Sequence, residues 1–214
     1  METTERLQYH KLVDEICQLN WHSLSSQDLV SVAWAYYYFS IQFRENLTVA
    51  RALHPDDANL KALEREECDT DNLSPWPGVA AAGEKMNHDE YMRRALQMHA
   101  LDPATLQAFV IAGQRYLDRI RQCDDVSRAL SIASYEDGGL EQVFRAILTC
   151  TQWDNALLRA FQHFLSEHVR FDSDPDHGHG ALSRHLHPDD RVVPLWQAFR
   201  DILIVCVPKL STHG

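Results

Sequence analysis

The sequence has little of what marks several protein classes. Its five cysteines are odd in number and form no CxxC pair, so neither a disulfide framework nor a thiolate zinc knuckle is indicated. No apolar run reaches about 18 residues, which argues against a transmembrane helix. Basic residues are also scarce, since 20 Lys and Arg face 31 Asp and Glu and give a formal charge of −11. Nucleic acid and anionic membranes are therefore not expected as partners, because phosphate contacts need clustered cations.

Helix-breaking residues are few as well. Glycine and proline number eight each among 214 residues, and apolar positions recur at spacings of three and four rather than alternating. This pattern predicts a single all-α domain over residues 1–214, a bundle of seven or eight helices, and the length is enough to bury a substantial core. The first ten residues, METTERLQYH, have acidic groups where a signal peptide is basic and then apolar, so we expect a cytoplasmic protein.

Capping residues place several of these helices. Ser25 and Asp28 form a capping-box pattern ahead of a long second helix. Its aromatic stretch surrounds the helix too fully for a surface stripe, which predicts a central, buried element. Within that stretch Trp34, Tyr38 and Phe39 are candidates for the walls of a substrate pocket, and ordinary core packing is the alternative.

Histidines are the most unusual part of the composition. Six of the twelve fall between residues 163 and 187: His163, His168, His177, His179, His185 and His187. In the segment EHVRFDSDPDHGHG, His168 and Asp172 are four residues apart and share one helix face. Imidazole beside carboxylate suits iron, manganese or zinc. A third ligand from this segment would be His177 through a π-turn, and His179 is the alternative if the helix continues.

The same segment has two alternative interpretations. Three aspartates from Asp172 onward imitate the start of an EF-hand loop, but the sixth and twelfth positions hold His177 and Ser183 instead of Gly and Glu, so calcium is not indicated. A solvated, acidic, histidine-rich turn without a ligand is the remaining alternative.

Carboxylates and a further histidine lie upstream. EREECD offers the adjacent Glu66 and Glu67, NHDEYMRRAL offers His88, and SYED offers Glu136 in an apolar setting. Because an unpaired buried carboxylate is costly, Glu136 should be paired or ligated. The two adjacent glutamates could instead belong to a solvent-exposed run of charged residues. His88 could instead have a capping role at the helix that begins at Asn87.

The order of these pieces resembles the heme-oxygenase-like diiron oxidase and oxygenase superfamily. Paired glutamates, a His-led helix with aromatic and Arg residues, SYE, and His-x3-Asp with a further His follow one another from about Tyr36 to His187. The resemblance implies a seven- to eight-helix heme-oxygenase-like bundle with two iron ions. The ligands it implies are Glu66, His88, Glu136, His168, Asp172 and His177, with the neighbouring Glu67 as the alternative to Glu66.

The activity that the resemblance implies is that of a non-heme diiron enzyme. It would use ferrous iron and O2 to oxidise a small molecule, such as an amino acid or amine derivative in a biosynthetic pathway, by N-oxygenation, desaturation or oxidative C–C cleavage. Manganese in place of one iron also suits the ligand types, an external electron donor is compatible with the chemistry, and homodimerisation stays open.

Three alternatives accompany this interpretation. A heme-degrading relative would use an axial histidine near the N-terminus, for which His10 and His22 are available. A thiaminase-like relative would use a nucleophilic cysteine with acidic partners. The third alternative is a non-catalytic helical protein that mediates an interaction or stores metal.

Overall fold

The structure is a computed structural model, and it describes residues 7–68, 75–172 and 178–211. Within these ranges the chain is helical and has no β-strand, only one isolated bridge between Trp76 and Ala80. The α-helices are α1 (Gln8–Cys17), α2 (Ser26–Leu53), α3 (Ala58–Cys68), α4 (His88–Leu96), α5 (Pro103–Arg121), α6 (Asp125–Glu136), α7 (Gly139–Ile147), α8 (Ala156–Asp172), α9 (His179–Ser183) and α10 (Val193–Cys206).

The expected all-α class is confirmed, but the described residues contain ten α-helices rather than seven or eight. One reason is that α6 and α7 are separate helices. Gly138 adopts a left-handed φ of 89° between them, a conformation that glycine adopts without steric cost. The other reason is α9, a helix of only five residues that starts after Gly178.

Side-chain caps begin several helices at the expected positions. The Ser25 hydroxyl accepts a hydrogen bond from the amide of Asp28, and the Asp28 carboxylate accepts one from the amide of Ser25, which is the complete capping box. Asp102 accepts from the amides of Ala104 and Thr105 ahead of Pro103. These bonds satisfy amides that have no partner within the helix.

Helix α2 is the centre of the bundle, as the sequence predicts. It packs against α3, α4, α5, α6, α8 and α10, and its buried residues occur on all sides. Tyr36 alone contacts the rings of Phe39, Phe144, Phe161 and Phe164 at centroid distances of 5.5–5.7 Å. Burial of such rings is the dominant stabilising contribution to a helical core.

Buried polar side chains fix how α2 faces α5 and α6. The amide nitrogen of Gln42 donates to the Tyr135 hydroxyl at 2.8 Å, and the Tyr116 hydroxyl donates to the amide oxygen of Gln42. One turn further, Asn46 donates to Ser131 at 3.0 Å. Because buried polar groups are costly without partners, these bonds disfavour any other register of the three helices.

No helix among the described residues combines the length and the apolar character needed to cross a membrane.

Helix α5 packs closely against Tyr38 of α2 at Gly113. A Cβ atom placed on Gly113 would lie 2.2 Å from the ring of Tyr38, far inside van der Waals contact. An alanine in the middle of a helix normally stabilises it by about 1 kcal/mol relative to glycine. We expect Gly113→Ala instead to lower the free energy of unfolding by about 1–3 kcal/mol, because the Tyr38 ring has to move. Urea denaturation measures this change.

Two further variants separate the steric effect from helix propensity. Ala112→Gly on the same helix should cost about 1 kcal/mol through propensity alone. In a Tyr38→Ala background, Gly113→Ala should cost nothing, since the colliding ring is gone. An unchanged penalty in that background would show that the Tyr38 contact is not its cause.

Candidate metal centre

Five side chains from five helices meet between α2 and the short helix α9. They are Glu67 of α3, His88 of α4, Glu136 of α6, His168 of α8 and His179 of α9. Four of them are buried, with exposed fractions of 4% for Glu67, 8% for His88, 8% for Glu136 and 1% for His179. Ionisable groups are seldom buried to this degree unless they are paired or hold a metal.

Glu67 lies at the middle of the cluster, with each carboxylate oxygen directed at a different histidine. Its Oε2 is 2.8 Å from Nδ1 of His88, and its Oε1 is 3.0 Å from Nδ1 of His179. A carboxylate in this position can bind two cations at once, one at each oxygen. Glu67 is thus the residue that connects the two sides of the cluster.

On one side, Glu67, Glu136 and His179 form a group that could hold a metal ion. Nδ1 of His179 is 3.2 Å from Oε2 of Glu136, and the ligand atoms of the three residues all lie within 4.8 Å of one another. Ligand atoms bound at about 2.1 Å from a metal are about 3 Å apart when adjacent. The group therefore needs little movement to coordinate a single ion.

On the other side, His168 and His88 face each other. Nδ1 of His168 is 2.8 Å from the carbonyl oxygen of Phe164, and because a carbonyl only accepts, this nitrogen carries the hydrogen. The lone pair of the neutral ring then belongs to Nε2, which is 3.4 Å from Nδ1 of His88. A backbone carbonyl that fixes the tautomer of a histidine in this way is typical of metal ligands.

An unsatisfied nitrogen marks the same side of the cluster. Nε2 of His88 is buried and has no hydrogen-bond partner in the part of the chain that the structure describes. Such atoms are few in folded proteins, and this one lies across the imidazole ring from Nδ1, the nitrogen that faces Glu67. The donor set of imidazoles and carboxylates also fits a transition metal.

Surface ion pairs hold the segment that brings His179 into the cluster. Arg184 donates twice to one oxygen of Asp137, at 3.0 and 3.1 Å, and Nε2 of His185 lies 2.5 Å from the carboxylate of Asp57. Asp57 also accepts from the amides that begin α3. These ion pairs therefore connect the segment to the end of α6, next to Glu136, and to the start of α3.

The histidines keep Glu67 ionised despite its burial. Burial by itself raises the pKa of a carboxyl group, because the charged form loses its hydration. For Glu67 the charges of His88 and His179 and a hydrogen bond from His88 outweigh burial and lower the pKa to about 2. At neutral pH Glu67 is therefore ionised, with histidines as its partners.

A small cavity adjoins these side chains. Its remaining walls are mostly rings and an aliphatic side chain: Tyr36, Phe39, Ser40, Phe43, Leu140 and Phe144. The space open to the centre of a water molecule is about 20 Å³, which is enough for one water or another molecule of two or three atoms. The cavity thus combines apolar walls with one polar end.

Glu66, the ligand that the resemblance implies, lies at the edge of this cluster. Its side chain is 41% exposed, and its Oε2 lies 3.6 Å from Nε2 of His179. The buried stripe of α3 is Leu60, Leu63 and Glu67, which follows helical spacing. That spacing, read from the sequence, is the signal that favours Glu67 over its neighbour.

The other predicted metal ligands differ in whether the structure describes them and where it places them. His88, Glu136 and His168 lie together in the cluster, as expected. Asp172 ends α8, but its side chain and the whole of His177 lie outside the described residues, so both assignments stay predictions. His179, the alternative third ligand of that segment, is in the cluster.

The predicted pocket walls lie on two sides of α2. Phe39 lines the cavity beside the cluster, whereas Trp34 and Tyr38 line a separate surface groove. The sequence places all three on one helix and does not show which neighbour each one faces.

The described cysteines lack the character of a nucleophile. Burial raises the pKa of Cys17 to about 11 and the pKa values of Cys150 and Cys206 to about 12, and burial also raises that of Cys123. A nucleophilic cysteine needs a lowered pKa, since the thiolate is the reactive form. Among these four residues nothing favours the thiaminase-like alternative.

The different settings of the two adjacent glutamates predict different effects on the metal-free protein. Glu67→Gln removes the charge that pairs with two buried histidines, so we expect the free energy of unfolding to fall by about 1–3 kcal/mol. Glu66→Gln changes an exposed side chain and should shift it by less than about 0.5 kcal/mol. Urea denaturation in the presence of a chelator tests both, and an equal loss in the two variants would contradict the central position of Glu67.

Comparisons with known proteins do not identify a family. No protein-family model matches the chain, and no curated protein or solved structure does so either. The helical architecture and the buried Glu67–Glu136–His179 group are therefore findings of this structure, and the resemblance to the heme-oxygenase-like superfamily stays a prediction from the motifs.

Proposed function

We propose that the buried cluster binds two ferrous ions and that the protein is a non-heme diiron enzyme, which uses O2 to oxidise a small organic molecule. The observation that carries this proposal is the position of Glu67. One of its oxygens faces His88 and the other faces His179, which is the arrangement that a carboxylate shared between two cations requires.

The side chains divide into two sets around Glu67. Glu136 and His179 serve the position next to Oε1, and His88 and His168 serve the position next to Oε2. Asp172, which ends α8 one turn beyond His168, is a further ligand that the resemblance implies. Carboxylates reduce the charge of the bound cations, while the imidazoles leave them electron-rich enough to react.

Ferrous ions bound by these side chains would supply electrons for the reduction of dioxygen. The protein contributes the surroundings in which this can proceed. The rings of Tyr36, Phe39 and Phe144 exclude bulk water from the polar end of the cavity, which limits side reactions and strengthens the local electrostatic interactions. The hydroxyl groups of Tyr36 and Ser40 are the polar groups on these walls.

The size of the cavity beside the cluster limits which molecules fit there. About 20 Å³ of open space accommodates dioxygen but not an amino acid or amine derivative. An organic substrate therefore has to displace part of the wall before it can approach the cluster. Leu140 and Phe144 belong to α7 and follow the glycine pair at residues 138–139, where Gly138 has a left-handed φ of 89°, so they are the wall residues nearest a break between two helices.

Anaerobic titration of the metal-free protein with ferrous iron tests the proposal. We expect two irons per chain for the parent protein. Glu67→Gln should weaken binding at both positions, because it faces both, whereas Glu136→Ala and His168→Ala should each remove about one equivalent. Glu66→Gln is the matched control and should retain both irons. Equilibrium dialysis with metal analysis gives the stoichiometry.

Exposure of the loaded protein to O2 then tests the chemistry. We expect rapid oxygen consumption at an electrode and a transient visible absorption band. A parent protein that binds one iron or none, or a Glu67→Gln variant that binds two irons normally, would refute the dinuclear centre. Two bound irons that consume no oxygen would refute the enzyme and favour metal storage.

A further inference from the structure

A second concave site lies on the opposite side of α2 from the metal cluster. It is a groove of about 510 Å³ between α2, α4 and α5, a volume within the usual range for small-molecule sites. Trp34, Tyr37 and Tyr38 line it, whereas Tyr36 and Phe39 line the cavity at the cluster. At 100° per residue these two sets occupy opposite faces of the helix.

The aromatic wall of the groove is held in place by its neighbours. The Trp34 ring stacks on Phe109 at a centroid distance of 5.7 Å and an angle of 12°, and it meets Tyr37 edge-on at 6.1 Å. Tyr38 packs directly against Gly113. Because these contacts already restrict the side-chain rotation of the rings, binding of an apolar ligand would cost little side-chain conformational entropy.

Charge distinguishes this groove from the rest of the surface. The chain has 31 acidic residues and a net charge of −11, yet no Asp or Glu is among the described residues that line the groove. Arg93, Gln97 and His99 are among the polar residues that line it, and Arg93 is paired with Glu90 beside the groove. An arginine in the lining, with no carboxylate among the described lining residues, favours an anionic group over a cationic one.

Arg93 is the residue that can fix such a group. Its Nε and Nη2 donate to Glu90 at 2.7 and 2.8 Å, and this contact orients the guanidinium. Nη1 makes no hydrogen bond within the described part of the chain, so it is available to an incoming carboxylate. Charge-assisted bonds from arginine to carboxylate are among the stronger hydrogen bonds in proteins.

We propose that this groove binds a small amphipathic anion, with its apolar body against Trp34 and Leu96 and its carboxylate at Nη1 of Arg93. The site is independent of the proposed diiron function, since the two linings share no residue and α2 lies between them. Binding of the anion therefore needs no metal.

The test uses three ligands with the same apolar chain and different head groups. Octanoate, octanol and octylammonium are titrated into the metal-free full-length protein by calorimetry. Octanoate should bind at least about tenfold more tightly than either of the others, because only its head group can accept from Arg93. Equal binding of the three ligands, or no binding of octanoate, would overturn the proposal.

Matched variants locate the binding site. Val110→Asp places a charge in the groove and should weaken octanoate binding by about tenfold or more. Val126→Asp is its control, since the two valines are 40% and 44% exposed on α5 and α6. Loss of binding in both variants, or in neither, would place the ligand elsewhere.

A second pair of variants tests the head group. Arg93→Gln should weaken octanoate by about tenfold and leave octanol unchanged, while Glu90 keeps its bond from Arg94. Arg145→Gln removes a similar exposed arginine that pairs with Glu141 on α7, and it should change neither ligand. If octanoate and octanol weaken together in Arg93→Gln, the arginine supports the fold of the groove and does not bind the anion.

Discussion

The buried carboxylate of Glu67 is the constraint on which the rest of the structure depends. A carboxylate with 4% exposure is tolerated only with charged partners, because loss of hydration costs several kcal/mol. His88 and His179 supply those partners from α4 and from the segment before α10. The helices that carry them cannot shift relative to α3 without leaving this charge unpaired.

The pairing of Glu67 with His179 also depends on the short helix α9. His179 belongs to a five-residue helix that is held by surface ion pairs, Arg184 with Asp137 and His185 with Asp57. Each such pair is worth only about 0–1 kcal/mol, so the segment stays in place largely through its buried contacts. A Cβ on Gly180 would lie 3.0 Å from the carbonyl oxygen of Glu136, which shows how closely α9 approaches α6 there.

Helix α2 borders two separate sites. Its rings at Tyr36 and Phe39 line the cavity at the Glu67 cluster, and those at Trp34 and Tyr38 line the surface groove. Gln42 and its hydrogen bonds to tyrosines of α5 and α6 fix the rotation of the helix about its axis. That rotation decides which aromatic residue serves which site, and the order of residues along one helix does not specify it.

The sequence by itself determined the all-helical class and the caps at Ser25 and Asp102, which follow from helical periodicity and local hydrogen bonds. It grouped His88, Glu136 and His168 only through the resemblance of its motif order to a known superfamily, and the structure places these three side chains near one another. Only the tertiary structure placed Glu67 in the centre, brought His179 to it, and divided the aromatic residues of α2 between two sites. These positions depend on how each helix is rotated about its axis and on how closely it approaches its neighbours. Both are set by packing between residues that are distant in the chain.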